Sequence, residues 1–67
     1  MTTESEYRLA RSYNDWLVIE LTQTKGVNCF RTENEWNAYK KFSERETLGE
    51  WLVLAIYNPS GVCVKRG

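Results

Sequence analysis

The chain predicts a small α+β domain: an antiparallel-rich, five-stranded sheet in the order β-β-β-α-β-β, with one helix packed on one face. Three observations predict it. With 67 residues there is room for one core, of a size that supports about 3–5 kcal/mol of net stability. The run Glu50 to Tyr57 is a strand that is apolar on both faces, because strand side chains alternate and Leu52, Leu54 and Ile56 oppose Trp51, Val53, Ala55 and Tyr57. Between Thr32 and Gly49 lies a stretch with start and stop signals for one helix.

In chain order, residues 1–5 are polar and expected to fray, leaving residues 6–67 as a single domain. Residues 6–13 and Trp16 to Thr22 have strand character, joined by a three-residue loop over 13–15 with Asn14 or Asp15 near the left-handed region. That loop sets Leu9 opposite Ile19 and Arg8 opposite Glu20, which keeps apolar residues on one face. Gly26 takes positive φ cheaply and starts a third strand, Val27 to Arg31, with Val27 and Cys29 toward the core and Phe30 toward the open side or an edge. Thr32 and Glu35 have capping-box spacing, Lys40, Lys41 and Arg45 suit the negative end of the dipole, and Gly49 stops the helix. Trp36, Tyr39 and Phe42, helped by Ala38, form the expected inner stripe. Asn58-Pro59-Ser60-Gly61 is a turn, and Val62 to Arg66 a short final strand.

The sheet order expected from these elements is 3-2-1-4-5 or 3-2-1-5-4, the first making the long strand central but parallel to the first strand. Leu17, Ile19, Leu21, Leu52, Leu54 and Ile56 are expected beneath the helix. One helix covers only one face, so Trp16, Val18, Trp51, Val53 and Tyr57 are left as an apolar patch of the kind that marks an interface.

Composition narrows the function. A hydrophobic fraction of 42% with 13% aromatic residues belongs to a folded domain. Nine Lys and Arg balance nine Asp and Glu, so no global field draws the chain to nucleic acid or an anionic membrane. No apolar run approaches the ~20 residues that span a bilayer, and Met1 to Glu6 has no signal-peptide character, so a cytoplasmic location is expected. Cys29 and Cys63 make no metal or C-x-x-C pattern. They are expected as buried reduced thiols, with a disulfide between strands as the alternative.

Enzymatic chemistry has little support. There is no histidine, Asp15 sits in a predicted turn, and no serine or cysteine has a base at motif spacing. Glu44, Glu46 and Glu50 around a helix end read as solvated surface. No phosphate-cradling loop or metal-ligand cluster is present, so no cofactor is expected.

What remains is binding. Trp, Tyr and Arg carry much of the energy of protein interfaces, and here they converge on the expected open face: Trp16, Val18, Trp51, Val53 and Tyr57 as contacts, with Arg8, Arg11 and Arg66 at the rim. The expected function is a non-enzymatic domain that docks on a larger macromolecule and modulates or inhibits it by occlusion, as a compact inhibitor encoded by a virus or mobile element does. A protein partner is the first expectation. A sheet platform that stacks single-stranded nucleic acid is the alternative, and a homodimer burying the open faces is the third reading.

Overall fold

The computed structural model describes residues 8–11 and 14–67. Its elements are β1 (Trp16–Thr22), β2 (Gly26–Thr32), α1 (Glu35–Leu48), β3 (Trp51–Tyr57) and β4 (Cys63–Arg66). They form a four-stranded sheet in the order β2-β1-β3-β4, antiparallel throughout, with α1 across one face. The class is the expected α+β, but the sheet has four strands and not five.

The missing strand is the expected first one. Residues 8–11 are helical, whereas residues 6, 7, 12 and 13 lie outside the described residues. Arg8, Leu9, Ala10 and Arg11 are good helix formers, and none is β-branched. Coiling this segment sets the small Ala10 against Leu17 and Cys29, with Ile19 and Tyr57 packed alongside. With no strand in between, β3 pairs directly with β1 and the parallel pairing disappears. Asn14 does take the left-handed conformation, at φ 55°.

The register reassigns the two faces. Val18 pairs with Ile56 and Glu20 with Leu54, while Leu17 pairs with Tyr57 and Ile19 with Ala55. Val18, Leu54 and Ile56 therefore lie beneath α1 and form the main core with Ala38 and Phe42. Leu17, Ile19 and Leu21, expected beneath the helix, occupy the opposite face. From Val53 to Tyr57 alternation predicts the two sets of side chains correctly, yet only cross-strand pairing says which set of β1 joins which set of β3.

A bulge moves Trp51. Leu21 pairs with Val53 but Thr22 with Trp51, so Leu52 is an extra residue in β3 and alternation is broken there. Trp51 consequently joins the helix side, packs on the main core and donates its indole N–H to the Glu46 carbonyl at 3.2 Å. Leu52 projects at 59% exposure.

Helix α1 starts at Asn34, not Thr32. The Asn34 side chain accepts from the Asn37 N–H at 2.8 Å, satisfying one orphan donor. Thr32 is held extended as the last residue of β2, paired with Trp16, so it is unable to cap. Gly49 ends the helix at φ 71°, its N–H bonded to the Glu46 carbonyl.

The inner stripe is also rotated. Ala38 and Phe42 are buried, with Lys41 and Arg45 half-buried beside them. Trp36, two residues before Ala38 and about 200° away around the helix, points outward and is 76% exposed. Tyr39 is exposed next to it. Phe30, expected on the open side or an edge, lies instead under the helix: it packs on the main core with Lys41 and Arg45 over its ring at 5.2 and 5.3 Å.

The thiols are free, Cys29 buried and Cys63 half-buried. They stand on β2 and β4, the two outer strands of the sheet, about 14 Å apart at the usual strand spacing. No disulfide bridges that distance.

Candidate protein-contact surface

The contact residues expected from the sequence do not share one surface. Val18 is fully buried and Trp16 packs beside it under α1. Trp51 follows them through the bulge. Val53 and Tyr57 remain on the opposite face, Val53 exposed and Tyr57 half-buried against the Ala10 cluster. Arg8 is exposed.

Arg11 serves the fold. Its Nη2 donates to the carbonyls of Asn58 and Pro59 at 3.2 and 2.9 Å, tying residues 8–11 to the β3–β4 turn. That turn is built as its sequence predicts. The Asn58 side chain accepts from the N–H groups of Ser60 and Val62, and Gly61 adopts φ 86°. Arg66 is exposed on β4, and its hydrogen bonds to the side chains of Cys63 and then Tyr57 raise its guanidinium above the ordinary range. Of the expected set, Trp16, Val18 and Trp51 gather under α1, while Tyr57 and Arg66 meet on the β3–β4 side, with Arg11 at the adjoining turn.

The strongest electrostatic feature lies between sheet and helix. Glu20 in mid β1 is fully buried, yet both carboxylate oxygens are satisfied. Arg45 donates through Nε and Nη2, each at 3.0 Å, and Asn28 Nδ2 donates at 3.3 Å. The hydrogen bonds to Glu20 raise the Arg45 guanidinium against the opposing effect of burial. With bidentate geometry, a third donor and no exposed surface, this carboxylate is closed off from solvent by its own partners. It pins α1 to the sheet.

Sequence reasoning placed Trp36 and Tyr39 in the core and so missed the surface they make. On the outer side of α1 they line two shallow recesses, one shared with Glu35 and the other with Lys40 and Ser43. One signal was available. A glutamate within an apolar strand needs a buried cation, and Arg45, three residues after Phe42, shares the Phe42 face. Taking Arg45 inward turns Trp36 out.

A polar groove adjoins this ledge, between the end of β2 and α1, and Lys40 borders both. Its other charges are largely matched within the chain: Lys41 pairs with Glu44 at 3.3 Å and Arg31 with Asp15 at 3.5 Å. Such a groove makes a poor anion site. Among the described residues no group of three or more His, Cys, Asp or Glu is placed to hold a metal, and no helix is long and apolar enough to cross a membrane.

Comparison with known proteins returned no matching family model, no matching curated protein and no matching solved structure.

Proposed function

We propose that this chain is a small non-enzymatic protein-interaction domain that docks on a larger protein through the outer face of α1 and modulates or blocks it by occlusion. The observation that carries the reading is Trp36, 76% exposed beside the exposed Tyr39. A tryptophan left in water on a helix that already has an inner stripe contributes nothing to this core, and Trp is the residue type most enriched among interface anchors. Lys40, bordering the same ledge, supplies a charged rim. The stacking of single-stranded nucleic acid on the sheet is disfavoured because Trp16 and Trp51 lie under α1. A cytoplasmic setting, where both thiols remain reduced, fits Cys29 and Cys63 on opposite edges of the sheet.

The test is co-purification of tagged wild type and Trp36→Ala from source cells, with and without nuclease, after circular dichroism shows the variant folded. A stoichiometric, nuclease-resistant protein held by wild type and lost from Trp36→Ala is the expected result. Equal recovery by both chains, or recovery that nuclease abolishes, overturns the reading.

A further inference from the structure

We infer that the protein target meets α1 through a basic segment, one arginine or lysine side chain of which seats in the recess between Glu35, Trp36 and Tyr39. The inference rests on the reading of this face as a protein contact and names the chemistry of what covers it.

The two recesses beside the aromatic pair differ in charge. Glu35 completes one, while Lys40 and Ser43 complete the other. At about 100° per residue, Glu35 and Glu46 both fall within about 40° of Tyr39, on the side away from Trp36, whereas Lys40 lies beyond Trp36. Both glutamates are exposed. On the Tyr39 side α1 therefore presents two carboxylates and no outward cation, since Arg45 is turned in to Glu20.

The needs of the helix account for only one of these charges. Glu35, in the first turn, suits the positive end of the helix dipole, but Glu46, in the last turn, faces the negative end, where a carboxylate is unfavourable. Among the described residues neither glutamate forms an ion pair. A cation from outside the chain compensates both. Trp36 and Tyr39 strengthen the preference, because a guanidinium or ammonium is attracted to the face of an aromatic ring, and a guanidinium can stack there while it pairs with a carboxylate. The fold uses the same chemistry internally, where Lys41 and Arg45 lie over Phe30. Phosphates and acidic peptides are repelled by the same two carboxylates.

Spacing gives the length of the segment. Glu35 and Glu46 stand about 16 Å apart along the helix at 1.5 Å per residue. About five residues of extended chain span that distance, so a short basic stretch reaches both carboxylates.

A blocked hexa-arginine peptide titrated into the full chain tests this, read by backbone amide and indole N–H chemical shifts in nuclear magnetic resonance. Saturable shifts are expected at the Trp36 indole and along the Glu35 and Glu46 side of α1, with the Trp16 indole, under the helix, unmoved. Blocked hexa-glutamate is expected to leave the face unmoved. Glu35→Gln and Glu46→Gln, each shown folded by circular dichroism, are expected to weaken arginine binding about threefold, and Lys40→Glu to tighten it. No shift at Trp36 by about 5 mM peptide, binding of hexa-glutamate on this face, or charge variants that bind like wild type each overturns the inference. Trp36 shifts that follow the concentration of the free chain alone also overturn it, by showing a second copy seated there. The two readings fail separately. A chain that ignores hexa-arginine yet holds a nuclease-resistant target through Trp36 refutes only the basic segment, and one that binds hexa-arginine here yet recovers no target refutes docking while the cation site stands.

Discussion

Replacing Arg45 by methionine tests how α1 is held on the sheet. The substitution keeps an unbranched side chain but removes the guanidinium that lies over Phe30 and both donors to Glu20, whose side chain is 0% exposed and keeps only Asn28 at 3.3 Å. Breaking a buried pair from one side costs about 3–5 kcal/mol, because the remaining charge is left without compensation. At about 0.05–0.15 kcal/mol per residue, this chain of 67 residues has about 3–10 kcal/mol in total, so Arg45→Met is expected to be largely unfolded or close to it. Glu20→Leu is milder, about 1 kcal/mol, since Arg45 retains 19% exposure and can hydrate. The double variant Glu20→Leu, Arg45→Met is expected to match or exceed wild type, as apolar replacements of buried pairs commonly do. Urea titrations followed by tryptophan fluorescence and far-ultraviolet circular dichroism measure all four chains. If Arg45→Met lies within about 1 kcal/mol of wild type, or the double variant is no more stable than Arg45→Met, the pair does not pin α1 to the sheet.

Phe42→Ala should cost about 3–5 kcal/mol, because the ring is 1% exposed at the centre of the main core, and the same urea titration reads it. Gly26→Ala and Gly61→Ala separate backbone strain from crowding. Both positions have positive φ, but an added Cβ at Gly26 meets open space, while at Gly61 it runs into the Arg11 guanidinium. Thermal melts should therefore show a loss of about 1 kcal/mol at Gly26 and a larger one at Gly61. A thiol reagent is expected to label Cys63 in the folded chain and Cys29 only on unfolding, with oxidation forming no intrachain disulfide. Rapid native labelling of Cys29 contradicts its burial against Ala10 and Leu17.

The parts of this protein that are local were legible in its sequence. Alternation along β1 and β3 showed strands with two apolar sets. Gly26, Gly49 and Gly61 marked turns that do require positive φ, and Asn58-Pro59-Ser60-Gly61 described its own hydrogen-bonded turn. Of the two β2 residues expected toward the core, Cys29 is buried but Val27 is 43% exposed. Residues 8–11 went astray because a short run containing Leu, Ala and Arg carries little periodicity, and its coiling is stabilised by contacts with β1, β2 and the β3–β4 turn that are distant in sequence.

Tertiary structure decided which surface is inside. The sequence by itself determined that there are two apolar faces and one helix to cover them, since those properties belong to single residues and their near neighbours. Local pattern assigned wrongly which set of β1 side chains joins Leu54 and Ile56, placing Leu17, Ile19 and Leu21 there in place of Val18, and which side of α1 faces inward, placing Trp36 and Tyr39 in the core. Those choices were made by the β1–β3 register, by the bulge at Leu52 that turned Trp51 under the helix, and by the need of buried Glu20 for Arg45. All three are long-range. A one-residue slip exchanges every side chain between faces at no local cost, so the exposed position of Trp36 is set by the packing of the whole domain.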